Sequence, residues 1–254
     1  MNSAIYSSTD RHCVSGINIK MKQAWNKGHT KYTNTSVLKT ALTMKGRKID
    51  NFKKWRDTQK ALGLIPSKYP PFKKNGDLAE LIGVVLGDGN ITRFPRTECL
   101  RIVANSNNPG FVNRYAKLIE AVFGKTPHIA KRTYSNAVNI TLYQSKISER
   151  LGLPTGSKAK LKMVLPIWVK TSRRLSVRYL RGLYEAEGSH SVHKRTYTYK
   201  LFFSNTNAAL LDTVFELLLA LGFHPHRSRY VVQVSRKKEV QKLLNLLEFR
   251  RYDT

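Results

Sequence analysis

A seven-residue string occurs twice in this chain, as Gly83-Val-Val-Leu-Gly87-Asp88-Gly89 and, 99 positions later, as Gly182-Leu-Tyr-Glu-Ala186-Glu187-Gly188. Each copy places a Gly four residues before a second small residue, then an acid, then another Gly. Each also closes an apolar run, over residues 78–83 and 177–182. Small residues four apart share one face of a helix, so two such helices pack with their backbones unusually close. A Gly just past the end is the usual helix terminator. The pattern therefore hangs one carboxylate from the end of each helix, and side-by-side packing brings Asp88 and Glu187 together. Two carboxylates at one point suit a divalent cation and phosphodiester chemistry. In one copy alone, an acid before a terminating Gly is an ordinary helix end; the same offset in both copies argues for a site.

The repetition continues downstream. Arg101-Ile-Val-Ala-Asn-Ser-Asn-Asn108 echoes Leu201-Phe-Phe-Ser-Asn-Thr-Asn207, in each case a strand running into a polar turn. Amphipathic helices are expected over 111–123 and 208–221, then the pairs Pro127-His128 and Pro225-His226, then strands over 138–142 and 230–234. Both strings resemble the LAGLIDADG motif of homing endonucleases, in the form where one chain carries two copies. The resemblance covers residues 77–250 as two halves in the order helix, two strands, helix, two strands, helix. It implies an α+β fold, with two pseudo-symmetric αββαββα halves forming a saddle-shaped antiparallel sheet surface beside a basic N-terminal extension. The expected division is 1–76 for the extension, 77–153 for the first repeat, and 154–254 for a linker and the second repeat.

The partner class is read from charge. Among 254 residues, 45 Lys and Arg face 16 acids, a net charge of +29 spread along the whole chain. That excess attracts polyanions and fits neither an enzyme of small neutral substrates nor a membrane helix with localised charge. No apolar run reaches the length of a membrane span. Cys13 and Cys99 lie far apart in no ligand spacing, so a reducing compartment is expected: cytoplasm, nucleoid or organelle matrix, without secretion.

Residues 1–76 hold sixteen Lys or Arg against three acids. Helices are expected over 36–44 and 51–62, the second capped by Asp50 and closed by Gly63, with the basic turn Lys45-Gly-Arg-Lys48 between them. Pro66, Pro70 and Pro71 mark a stiff linker. Trp25-Asn-Lys-Gly28 and the 45–48 string are similar to small DNA-binding accessory modules found beside homing nucleases. A helical hairpin that only props up the main domain is the alternative. The charged 154–162 stretch suits a connection across one face of a pseudo-dimer.

Carried onto this chain, the resemblance implies that Asp88 and Glu187 bind Mg²⁺, with Mn²⁺ able to substitute, and that the carbonyls of Gly87 and Ala186 can join them. Lys146 and Lys237, with Lys238 and Gln144 as further candidates, would assist catalysis, although phosphate anchoring explains them equally well. Glu185 points about 100° away from Glu187 on a helix and is set aside as a solvent or inter-domain contact. His190 and His193 lack a metal-site context and are expected at the surface or on DNA. Base and phosphate contacts are expected from Arg93, Arg96, Arg101, Lys131, Arg132, Tyr134, Asn136 and Asn139 in the first half. In the second they are Lys194, Arg195, Tyr197, Tyr199, Lys200, Arg227, Arg229 and Gln233. Unlike halves imply a long asymmetric site in double-stranded DNA, cut by a monomer with a stagger, and no membrane or small-molecule partner. The alternative is an intron maturase that binds its own intron RNA on the same fold. A regulator without catalysis has no use for both acids, and the chain ends do not resemble those of an intein.

Overall fold

The computed structural model describes residues 24–47, 50, 52–66, 68–158, 162 and 165–252; Cys13, Lys48, Asn51 and linker residues 159–161 lie outside them. The chain divides into two compact units, 1–67 and 68–254. In the first, α1 spans Thr35–Gly46 and α2 spans Lys53–Ala61. The Asn34 side chain caps α1 by accepting from the amides of Ser36 and Val37. Asp50 accepts from the amide of Phe52, next to α2, and from Arg56. Among the described residues of this unit none is buried, and Trp25, Tyr32, Phe52, Trp55 and Leu64 are all exposed. Short helices without a packed face are marginal by themselves.

The second unit begins upstream of the expected boundary at residue 76. The Phe72 ring meets Phe123 edge-on at 4.8 Å between centroids. Arg150 lays its guanidinium 3.7 Å over Phe72 and donates to the Pro70 carbonyl at 2.8 Å. The Pro70-Pro71 segment is therefore strapped to the first repeat rather than acting as a free linker.

The first repeat runs α3 (Gly76–Gly87), β1 (Gly89–Arg93), β2 (Glu98–Asn105), α4 (Pro109–Phe123), β3 (His128–Lys131), β4 (Ala137–Gln144) and α5 (Ile147–Leu151). After a short α6 (Ile167–Lys170), the second runs α7 (Arg173–Glu187), β5 (Gly188–His193), β6 (Thr198–Ser204), α8 (Ala208–Ala220), β7 (His226–Arg227), β8 (Val231–Val234) and α9 (Lys237–Leu247). Each repeat builds an antiparallel sheet, in the orders β1-β2-β4-β3 and β5-β6-β8-β7. The two expected αββαββα halves are present. No described helix is long and apolar enough to cross a membrane.

Local sequence explains the boundaries. Asn75, Asn108 and Asn207 accept from amides in the first turns of α3, α4 and α8. Gly124 ends α4 with φ of 65°, a left-handed conformation that other residues adopt at a cost. Strand alternation turns Leu100, Ile102 and Ala104 of β2 and Val138, Ile140 and Leu142 of β4 into the core. Leu201, Phe203, Val232 and Val234 do the same in the second half. Each buried Leu, Ile, Val or Phe among them contributes about 1.5–3 kcal/mol.

The axis of the unit is the pair α3 and α7. A Cβ on Gly83 would overlap the Tyr179 carbonyl, and one on Gly182 would overlap the Glu80 carbonyl and lie 2.8 Å from the Val84 amide nitrogen. The glycines are required because backbone meets backbone there. Toward the helix starts, fully buried Glu80 accepts from Arg114 (2.7 and 2.9 Å) and from Arg178 (2.6 Å). Arg178 also donates to Asp77 at 2.7 Å. Arg181 pairs with Glu248 and donates to the Arg251 carbonyl at 2.8 Å.

Candidate functional site

At their other ends α3 and α7 deliver Asp88 and Glu187. Asp88 caps α3 in a helical conformation, its amide bonded to Val84 O at 3.0 Å, and β1 departs at once from Gly89. Glu187 is the last residue of α7, and β5 departs from Gly188. The helix ends touch: a Cβ on Gly87 would overlap the Ala186 methyl and lie 3.1 Å from the Glu187 Cγ. A larger residue at 87 would push the two acids apart.

The electrostatics record their proximity. Although Asp88 keeps access to solvent, the protein packed round its carboxyl pushes its pKa up to about 7, and the Glu187 carboxylate adds to the rise. Burial also raises Glu187. One cation opposes both shifts, Lys158. Its Nζ donates to the carbonyls of Val85 (2.7 Å), Leu86 (2.7 Å) and Gly87 (2.9 Å), the free carbonyl end of α3. Burial lowers the pKa of Lys158 to about 8 against the pull of the two acids. No spacing in the sequence singled out this residue, which reaches the site from the linker between the halves.

The donor set fits a hard divalent ion. It is all oxygen, it carries surplus negative charge, and it lies in the open, next to a cleft of about 200 Å³ lined by Leu86, Gly87, Lys158 and residues 205–207. Among the described residues no group of three or more His, Cys, Asp and Glu gathers to hold a metal. An ion at this point would take the remainder of its shell from water and phosphate oxygens.

The register sorts the other candidates. The Asp88 carbonyl accepts from Val103 N, and Val103 pairs with Asn139, so Asn139 is level with Asp88. The β4 end, Gln144, is five positions further, roughly 17 Å at ~3.3 Å per residue. Lys146 lies beyond it with its Nζ 3.4 Å from Glu149, so the structure does not bring Lys146 to the acids. In the second half Gly188 is level with Phe203 and Val232. Lys237 instead stands 4.9 Å over the ring of Tyr199, four strand positions from Phe203, or about 13 Å. It too is kept from the acids.

Pleat phase divides the expected DNA contacts. Arg101 and Asn139, with Lys200 and Gln233 in the second half, lie on the strand faces turned away from the core. Among the described residues Arg101 Nε and Asn139 Oδ1 are buried with no hydrogen-bond partner. Arg96, Arg132, Tyr134 and Asn136 lie in or beside the hairpin turns of the first sheet, and Lys194, Arg195, Tyr197 and Arg229 in those of the second. Four residues face the helices instead. Arg93 pairs with Glu98, Lys131 with Val138, and Tyr199 packs against the core, while Arg227 donates to Asp212 of α8 at 3.1 Å. Even and odd positions of a strand take opposite faces, so a whole strand never points at one partner. Of the two readings of Glu185, the solvent one fails and the contact one stands. It is buried, accepting from the Arg250 amide at 2.6 Å and from the Tyr252 hydroxyl, and it anchors the C-terminal segment instead of meeting solvent.

Two pseudo-symmetric αββαββα halves, joined along paired helices that each end in an acid, define a single-chain protein with one composite acidic site. Residues 175–251 match the family profile described as a LAGLIDADG-like domain. The structure of the homing endonuclease I-WcaI bound to its DNA recognition sequence is similar, at 16% identity and a TM-score of 0.54, over 77% of this chain and 93% of that one. Mesophilic variants of the homing endonuclease I-DmoI give 19% identity and a TM-score of 0.48 over 68% and 94% of the two chains. The N-terminal LAGLIDADG domain of DUF199/WhiA gives 16% and 0.49 over 72% and 88%. No curated protein sequence matches the chain. The second repeat thus matches the LAGLIDADG-like profile, and the whole of the two-repeat unit shares its fold with I-WcaI.

Proposed function

We propose that the protein is a site-specific DNA endonuclease of the homing type, which hydrolyses one phosphodiester on each strand of a long asymmetric site with Mg²⁺ or Mn²⁺. The observation that carries this reading is the convergence of Asp88 and Glu187 at the touching ends of α3 and α7. Asp88 and Glu187 would hold the ion, which would supply Lewis-acid chemistry for activating water and offsetting charge at the phosphate. The chain's own part is positional. Gly87 and Ala186 keep the helix ends in contact, which holds the two carboxylates together where the halves meet. Arg101 and Asn139 supply orphaned polar atoms on the open face of the first sheet, ready for base edges or phosphates. The similar I-WcaI structure holds its DNA recognition sequence, which supports double-stranded DNA as the partner. Both halves lie in one chain, so a monomer completes the site.

The test is incubation with duplex DNA carrying the uninterrupted insertion site of the protein's own gene, with Mg²⁺ or with chelator. A metal-dependent double-strand cut is expected from the wild type. Absence of a cut, together with tight metal-independent binding to intron RNA, would replace this reading with RNA assistance.

A further inference from the structure

The ammonium of Lys158 has three protons, and all three are spent on consecutive carbonyls at the end of α3. The residue is also held from behind. Gly156 donates to the Ile91 carbonyl at 2.9 Å, laying the linker along β1, and Asn207 donates to the Lys158 carbonyl at 3.4 Å from the second half. The contact is therefore built on one side by the first repeat and on the other by the second. The end of α7 is different. There Arg250 donates to the carbonyl of Gly188 at 3.3 Å, and among the described residues no Lys or Arg donates to the carbonyls of Ala186 or Glu187. Among the described residues, then, a cation of the chain fills the end of α3 and none fills the end of α7.

Carbonyl and carboxylate oxygens are also what a hard divalent ion seeks. The Gly87 carbonyl cannot serve an ammonium and a metal ion together at full strength, and two cations beside the same acids repel. We propose that Lys158 is a built-in counter-ion of the site: in the metal-free protein it occupies the place of a divalent ion at the first helix end, and it withdraws when the ion binds. This rests on the acid pair being the metal site, as proposed above. Withdrawal frees the linker side chain that joins the halves, so metal binding at the first half loosens a tie to the 205–207 turn of the second.

The experiment is a Mn²⁺ titration of the DNA-free protein, followed by the electron paramagnetic resonance of free Mn²⁺, on wild type and on Lys158→Met, which keeps chain length and loses charge. Melting temperatures are taken in chelator and in saturating Mn²⁺. The variant is expected to bind its first Mn²⁺ roughly tenfold more tightly and to melt lower than wild type in chelator only, the gap closing with metal. Equal or weaker Mn²⁺ binding by Lys158→Met, with the same melting gap in both conditions, makes Lys158 a simple helix cap and overturns the proposal. Should the variant not fold, amine acylation of the wild type read by mass spectrometry decides. Labelling of Lys158 is expected to rise at least severalfold on adding Mn²⁺ or Ca²⁺ while Lys146 and Lys237 stay constant, and an unchanged Lys158 overturns the proposal. Asp88→Asn separates the two readings. If it binds Mn²⁺ as wild type does, the site assignment itself fails; if it loses binding while Lys158→Met is unaltered, only the counter-ion fails.

Discussion

The two ends of the α3–α7 pair hold acids in opposite conditions. Near the helix starts Glu80 is fully buried yet bonded to Arg114 and Arg178, with Arg181 3.7 Å away, and Asp77 shares Arg178. At the other end Asp88 and Glu187 stand against each other and share one lysine. The first set is matched and complete, and its acids are part of what holds the halves together. The second carries more negative charge than the described residues neutralise, and both its carboxyls are held above their ordinary range. Among the described residues, shortage of partners sets Asp88 and Glu187 apart, since burial alone would single out Glu80.

Substitutions at the two ends should separate accordingly. The largest effect is expected at the unmatched end: Asp88→Asn or Glu187→Gln lowers single-turnover cleavage by roughly a thousandfold or more, the several kcal/mol carried by metal-assisted chemistry, without loss of fold by circular dichroism. Full cutting by either variant would erase the distinction. Next comes Glu80→Gln, which leaves the half-buried guanidinium groups of Arg114 and Arg178 short of a counter-charge and should cost about 3 kcal/mol in urea unfolding. Its cleavage should persist wherever it remains folded. Arg101→Ala is smaller, a loss of about 1–3 kcal/mol in DNA affinity with relaxed preference at one or two base pairs, measured by competition among single-substituted sites.

The smallest effect is a pH slope. Asp88 has its folded pKa raised to about 7 from an ordinary 3.8, so its protonated form favours the fold. That contribution is complete below about pH 4 and is lost as pH rises through 7. In chelator, the wild type should therefore lose stability from pH 5 to 8 relative to Asp88→Asn, which lacks the titrating group. With Mn²⁺ present the trend reverses in the binding data, because protons compete with the ion and affinity falls below pH 7. Parallel melting curves for the two proteins across this range would show that Asp88 is not strained by its neighbours.

Much of this was legible in the amino-acid order, because helix and strand periodicities and the repeated motif act locally. The acid pair followed from a four-residue spacing, and the helices expected over 111–123 and 208–221 are found as α4 and α8 within two residues of those bounds. What escaped has a common physical origin in tertiary position. Strand phase depends on where pairing begins, so Arg93, Lys131, Tyr199 and Arg227 were expected on the open face and are found facing the helices. Distance along a strand hid the remoteness of Lys146 and Lys237 from the acids. Lys158 acts by side-chain reach out of an irregular linker, which no periodicity marks. The strapping of Phe72 under Arg150 was masked by three prolines that read as a spacer.

The contrast between the helix ends is tested most directly by carrying Asp88→Asn and Glu80→Gln through one pair of measurements, melting in chelator and Mg²⁺-dependent cutting of the insertion-site DNA at a temperature where both are folded. The account predicts opposite outcomes: Asp88→Asn melts at or above the wild type and does not cut, whereas Glu80→Gln melts well below it and cuts at close to the wild-type rate. A cutting Asp88→Asn, or a stable Glu80→Gln that has lost cleavage, would contradict it.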